Sequence, residues 1–402
     1  MALLNLHRVF TEAATKTDFL SQLTVPERRE QKLRNARDAI RDTLRVGFSE
    51  WQLVAERRVI MEASAVRKGV PEPKLRPKFR MQGSASQAYR TLNDPAHPPQ
   101  QIDYDDGVYL PVSFLAETGN PVIAASGYYQ LVEKLLQPLV DKRGWSIDTT
   151  TKKCVRIVLD DHAHIDLPLY AMPDQEFTQL AEDVALAKRV DRSMFLESAT
   201  LDDEVYERLR EDELRLALRE GEWIPSDPRL LENWFKQAVA DFGPQVRRVS
   251  RYLKGWRDFV WIGECRLSSI IIMKCVVDAF DELRGTVPDN RDDIAVLEVA
   301  SRLDRYFAGD IPNPVLDMSL NDHWSPQDRA DFRQRATELH QRLRDAVRGS
   351  DSPSQALATL ARAFGPRIPQ TVALVSVTAE ATVRSYQPSK LPAREVPRTK
   401  SG

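Results

Sequence analysis

Polar and apolar positions change period twice along this chain. From Pro26 to Trp51, the run ERREQKLRNARDAIRDTLRVGF puts Leu33, Ala36, Ile40, Leu44 and Val46 on one stripe, which predicts a helix with one buried face. PEPKLRP (Pro71–Pro77) breaks that pattern. Between about Met81 and Pro173 the apolar residues alternate more tightly. Val108–Phe114, Cys154–Leu159 and His164–Ala171 read as strands, with a helix near Ser126–Leu139 between them. Beyond Pro173, helical spacing dominates to about Arg348, interrupted at Trp223–Pro228 and Ile311–Pro314, and TVALVSV near the end is a candidate strand. From Tyr386 onward three prolines and four basic residues meet a single acidic one, a composition that cannot bury a core and reads as a mobile tail. The expected class is α+β. Residues 1–175 hold an N-terminal helix and a strand-based core, 176–385 a helical lobe, and 386–402 the tail.

Composition narrows the function classes. Lys and Arg number 57 against 59 Asp and Glu, a net charge of −2, which argues against a general nucleic-acid binder with a strongly basic face. Three cysteines, Cys154, Cys265 and Cys275, cannot build a disulfide framework or a paired CxxC zinc site, and a reduced cytoplasmic setting is the simplest expectation. The most apolar run, Ile270–Met273 continued by Cys275–Val277, is broken by Lys274 and flanked by Arg266 and Asp278. It reads as a core helix, not a membrane anchor. The start of the chain does not read as a targeting signal.

Three motifs carry candidate chemistry. Gln82-Gly83-Ser84 follows a short apolar strand and precedes Ser86–Leu92, which reads as a short helix. Glycine lets backbone approach a phosphate, and amides at a helix start attract an anion. In Ile102-Asp103-Tyr104-Asp105-Asp106-Gly107, an extended backbone projects Asp103 and Asp105 to one side, Tyr104 and Asp106 to the other. Two adjacent carboxylates repel unless a cation lies between them, so the pair is a candidate divalent-metal seat. In His162-Ala163-His164-Ile165-Asp166-Leu167, alternation buries Ile165 and Leu167 and puts His162, His164 and Asp166 on the other face. A zinc hydrolase of H-x-H-x-D type wants a further histidine where Leu167 stands, and the two histidines read as strand-surface residues rather than ligands. A Gly-Ser turn, an Asp-x-Asp strand and a solitary strand Asp together form the layout of the polymerase β-like nucleotidyltransferase fold. There Asp103, Asp105 and Asp166 would hold two Mg²⁺ ions, with Mn²⁺ as a substitute.

The resemblance goes further than a fold. The run from Phe79 to Phe114, FRMQGSASQAYRTLNDPAHPPQQIDYDDGVYLPVSF, resembles the active-site segment of the bacterial cGAS/DncV-like nucleotidyltransferases, the cyclic-oligonucleotide synthases of CBASS anti-phage systems. CVRIVLDDHAHIDLPLYAMP resembles the strand carrying their third aspartate. WIPSDPRLLENWF, VSRYLKGWRDFVW, SSIIIMKCVVDAFDEL and RDDIAVLEVASRL resemble segments of their helical lobe. Similarity runs from about Phe79 to Asp345 and lies nearest the dinucleotide cyclase branch.

That resemblance implies a role for each matching residue. Gln82, Gly83 and Ser84 would hold the donor triphosphate, and Lys254 would reach it from the helical lobe. Tyr89 would stack on a base, although the loop it closes is longer than the usual family form and leaves Ser86 a rival to Ser84. Ser268 or Ser269, with Ser269 favoured, would contact phosphate. Ser226 and Asp227 would read the acceptor base, against the plainer reading of a helix cap before Pro228. ATP and GTP are the implied substrates and 3′,3′-cyclic GMP-AMP the implied product, with other cyclic di- or trinucleotides and linear oligonucleotides as alternatives. A downstream effector would be reached only through that product. No zinc cluster of the animal DNA sensor is present, so no DNA partner and no membrane partner are expected. The chain ends Lys400-Ser401-Gly402, and the resemblance implies conjugation of Gly402 by a ubiquitin-like E1/E2 partner. A template-free RNA nucleotidyltransferase would need a basic groove, and a catalytically silent interaction protein would have no need of three carboxylates.

Overall fold

A computed structural model describes residues 4–12, 14, 16–62, 77–111, 121–173, 214–263 and 265–377. The sheet lobe is built on β3 (Ile102–Pro111), the longest of the described strands, which pairs three neighbours. Its first half runs parallel to β6 (Ala163–Leu167), with Asp103 beside His164 and Asp105 beside Asp166. Its second half lies parallel to β7 (Leu169–Met172) and antiparallel to β2 (Lys78–Met81). Pro168, which has no N–H to give a ladder, separates β6 from β7, and its carbonyl accepts from Val108 N at 2.8 Å. β4 (Ser146–Asp148) and β5 (Val155–Asp160) extend the sheet beyond β6, while β8 (Arg215–Ala217) and β9 (Trp223–Pro225) extend it beyond β7. The sheet is mixed, as expected for an α+β core.

Among the described residues, two helices cover one face. α3 (Glu27–Glu62) buries Leu33, Ala36, Ile40, Leu44 and Phe48, and α4 (Pro121–Arg143) buries Tyr128, Val132, Leu136 and Val140 against Ile102, Tyr104, Val108, Ile157 and Ile165. Ile40, Leu44 and Phe48 stand four apart and share a face, so Val46, placed on the stripe by sequence, lies away from it and is 58% exposed.

The second lobe is helical: α5 (Pro228–Phe242), α6 (Gln245–Val260), α7 (Ser269–Glu282), α8 (Asp292–Ala308), α9 (Pro326–Arg344) and α10 (Pro353–Phe364). α7 is the apolar run singled out above, and its buried Ile271, Ile272, Cys275, Val276 and Ala279 put it inside this lobe. Among the described residues no helix is long and apolar enough to cross a membrane.

The chain does not divide between lobes where its sequence suggests. α1 (His7–Phe10) and α2 (Phe19–Gln22) place Phe10 and Phe19 against Tyr252 and Phe364, inside the helical core. Leu6 N donates to Asp293 Oδ2 at 2.9 Å, and β1 (Leu4–Asn5) pairs β10 (Ser376–Val377). The candidate strand TVALVSV contributes only those last two residues. Conversely, β8 and β9 belong to the sheet although they follow residue 176. Short apolar segments such as LHRVF carry too little period to say which core they join. The tail expected from 386 lies outside the described residues.

Candidate active site

The site grows out of the β3–β6 pairing. Parallel neighbours in register put Asp103, Asp105, His164 and Asp166 on one patch of one face. The side chain of Asp103 is 55% exposed, while His164 and Asp166 are buried. Arg156 on β5 lies across from Asp166 and donates Nε and Nη2 to its two oxygens at 2.7 Å each, which fixes the plane of the carboxylate. Burial, together with the charges of Asp103 and Asp166, holds the Asp105 carboxyl well above the usual carboxylate range, with Arg156 and Lys254 pulling the other way. Asp106 takes no part. It points to the opposite face, fully buried, where Arg41 of α3 grips both its oxygens. The sequence expectation for the four positions of this strand therefore holds, with Tyr104 in the core behind.

Gly83 opens a single 3₁₀ turn (Gly83–Ala85) at the end of β2. Its φ is +61°, and a Cβ there would lie 2.0 Å from Asp105 Oδ2, so the glycine gives the aspartate its space. No helix follows at Ser86–Leu92, where the chain makes a turn instead. Ser84 Oγ accepts from Lys254 Nζ at 2.8 Å, and the same Nζ donates to Thr91 O at 2.7 Å. Lys254 comes from α6, so one ammonium ties the helical lobe to the loop beside the aspartates. Burial brings its pKa down to about 7.

Between the lobes lies a cleft of about 310 Å³. Ser84, Asp103, Gln100 and Gln101 line it from the sheet side, and Lys254, Arg257, Trp261 and Ser269 from the helical side. Of the two serines, Ser269 faces this cleft and accepts from Arg257 Nη1 at 3.1 Å, whereas Ser268 caps α7 through Ile271 N.

Three expected contacts take a different form. The Gln82 side chain turns onto the sheet, its Nε2 donating to Tyr109 Oη at 2.7 Å and its Oε1 accepting from Tyr170 Oη at 3.2 Å. It props the loop from behind, and Gly107 leaves it room. Tyr89 is buried in the interlobe core against Phe235, ring centroids 5.5 Å apart, which leaves no free face for a base. Asp227 is the N-cap of α5, accepting from Arg229 N at 2.9 Å and pairing with the buried Arg229 guanidinium. For Asp227 the plainer cap reading is the one observed, and Ser226 precedes it. His164, expected at the strand surface, is buried at 7% exposure with Nε2 3.1 Å from Asp103 Oδ1. Arg156, Arg257 and Gln101 were not singled out by sequence. Gly402 lies outside the described residues.

One oxygen each from Asp103 and Asp166 and a ring nitrogen of His164 fall within 4.8 Å of one another, and Asp105 adjoins them. Carboxylates crowded so tightly that the ionised form of one is strongly opposed suit a divalent cation, which supplies the missing positive charge. A mixed sheet bearing such a cluster, a glycine turn beside it and a lysine across a cleft fit a nucleotidyltransferase site whose carboxylates could hold a metal ion.

The comparisons agree. The profile for the cyclic GMP-AMP synthase DncV-like nucleotidyltransferase domain matches residues 77–170, and that for the cyclic GMP-AMP synthase C-terminal domain matches 243–377. A cyclic GMP-AMP synthase of Vibrio cholerae serotype O1 is 33% identical over 319 residues, 75% of this chain and 70% of the relative. One from Escherichia coli is 31% identical over 331 residues, 79% and 74% of the two chains. The Vibrio cholerae DncV cyclic AMP-GMP synthase bound to the linear intermediate 5′ pppA(3′,5′)pG superposes with a TM-score of 0.74 at 26% identity, covering 94% of this chain and all of the other. A complex of that dinucleotide cyclase with ATP, GTP and 5MTHFGLU2 gives 0.73, also at 26% identity and over 94% and 100% of the chains. This chain belongs to the DncV-like nucleotidyltransferases and is an enzyme of the cyclic oligonucleotide synthase class.

Proposed function

We propose that the chain joins ATP and GTP into 3′,3′-cyclic GMP-AMP by two successive nucleotidyl transfers at one site. In each, a ribose hydroxyl attacks an α-phosphate, a new P–O bond forms and pyrophosphate leaves. The observation that carries this reading is the Lys254–Ser84 contact beside Asp103, Asp105 and Asp166, a cationic phosphate seat next to an anionic metal seat. Asp103, Asp105 and Asp166 would hold two Mg²⁺ ions. Bound there, such ions lower the pKa of a coordinated hydroxyl and neutralise charge on the leaving phosphates. Arg156 orients Asp166, Gly83 admits Asp105, and Lys254, Ser84 and Ser269 take the phosphates. The balanced charge of the chain favours free nucleotides over a nucleic-acid acceptor.

The wider role follows from the family resemblance. We assign the product as a second messenger in CBASS anti-phage defence in the cytoplasm, acting on an effector that the synthase itself does not bind. The terminal Gly402 would be the carboxylate adenylated and transferred by an E1/E2 partner, since a residue without a side chain threads a narrow active site most easily. Incubation with each NTP alone and in pairs, followed by phosphatase, linkage-specific nuclease and mass spectrometry, tests the product. A 3′,3′-linked cyclic GMP-AMP made only when ATP and GTP are both present is the expected result; a trinucleotide or linear product rejects it. Deleting Gly402 should spare synthesis and abolish the E1/E2 conjugate, and a conjugate that persists rejects that role.

A further inference from the structure

The side chain of His164 is oriented as a metal ligand is oriented. Gln101 Nε2 donates to Asp160 O at 3.3 Å, which turns Gln101 Oε1 toward His164 Nδ1 at 2.8 Å. An amide oxygen only accepts, so Nδ1 carries a proton, and in that tautomer the ring's lone pair lies at Nε2. That lone pair faces acceptors alone: Asp103 Oδ1 at 3.1 Å and Asp166 Oδ1 at 3.9 Å. A lone pair between two carboxylate oxygens is repelled unless a cation or a proton sits among them, and a ring N–H held by a second residue is the usual support of a ligating histidine. The β3–β6 register puts His164 directly beside Asp103, so backbone pairing brings the imidazole to the cluster.

We propose that His164 Nε2 is a ligand of this catalytic centre, joining Asp103 and Asp166, and that Gln101 sets its tautomer. The proposal rests on the reading of the acidic cluster as a divalent-metal seat. Its consequence is a change of preference: imidazole suits Mn²⁺ and later first-row ions better than Mg²⁺, which takes oxygen ligands. The site would then favour Mn²⁺ more strongly than three carboxylates alone. The competing arrangement is an imidazolium ion-paired to Asp103, with no bond to metal.

Pulsed electron paramagnetic resonance on the full chain loaded with Mn²⁺ separates the two. The expected spectrum carries ¹⁴N coupling from a directly bound imidazole, converted to ¹⁵N coupling by [¹⁵N]histidine labelling and lost in His164→Gln. Mn²⁺ affinity should fall about tenfold or more in His164→Gln and part of the way in Gln101→Ala, with Mg²⁺ affinity changed far less. Mn²⁺ bound without histidine nitrogen coupling in the unsubstituted protein overturns the proposal and leaves the carboxylate site standing, whether or not the variants fold. No bound Mn²⁺ at all overturns the metal seat, and His164 as its ligand with it.

Discussion

Lys254 Nζ donates to Ser84 Oγ at 2.8 Å across the two lobes, from a position where the lysine is almost wholly buried. Burial lowers its pKa from 10.5 to about 7. The sign follows from linkage. Between about pH 7 and 10.5 the unfolded chain keeps a proton that the folded chain has shed, so the contribution of this group to stability rises with pH across that window. A bound triphosphate restores the proton. Titration calorimetry of nucleotide binding near pH 8, in two buffers of different ionisation enthalpy, should show uptake approaching one proton per site. Lys254→Met should show none and lose about 10²-fold or more in turnover. Heats independent of buffer in the unsubstituted protein contradict this role.

Asp106 sits one residue from Asp105 and does unrelated work. Its carboxylate is fully buried and held by Arg41 from α3. Truncating Arg41 to Ala leaves that charge without its partner and should cost about 3–5 kcal/mol in urea unfolding. A loss under about 1 kcal/mol would show that the pair does not hold α3 to the sheet.

The opposite holds for Asp105. Its ionised form is opposed by burial and by two neighbouring carboxylates, so Asp105→Asn should raise the metal-free melting temperature while removing synthesis. A lowered melting temperature in chelator contradicts the crowding described here.

At Gly83 the demand is steric. Alanine would have to tolerate φ +61° and a Cβ 2.0 Å from Asp105 Oδ2. Gly83→Ala should cost about 1–2 kcal/mol in stability from the backbone alone. Displacing Asp105 should lower turnover by about tenfold or more, measured on the folded variant. Unchanged turnover would mean that Asp105 need not stand against this loop.

How far the sequence reached is seen strand by strand. Period-two alternation put Asp103 and Asp105 on one face and Tyr104 and Asp106 on the other, because side-chain parity is a local property of extended backbone. Parity does not say which strands pair. The register that sets His164 beside Asp103 comes from β6 lying parallel to β3 some sixty residues later, so parity alone leaves the histidine looking like an ordinary surface residue. Arg156 was hidden by a smaller effect. β5 and β6 form a hairpin, yet the register shifts between Val158 and Asp160, so counting back from the turn misplaces the partner of Asp166 by one position. Resemblance alone points Gln82 and Tyr89 at a nucleotide, and it says nothing of the neighbours that draw one side chain onto Tyr109 and Tyr170 and the other against Phe235. Lys254 and Ser269 carried no local signal beyond resemblance, and the helical lobe alone brings them to the cleft.

The most direct test of the central claim is incubation of the purified chain with α-labelled ATP, GTP and Mg²⁺, followed by phosphatase and chromatography. The account predicts a phosphatase-resistant product that disappears in the Asp103→Ala, Asp105→Ala double variant while that variant keeps its fold by circular dichroism. A folded double variant that still makes the product, or an unsubstituted chain that makes none with any pair of NTPs, would contradict it.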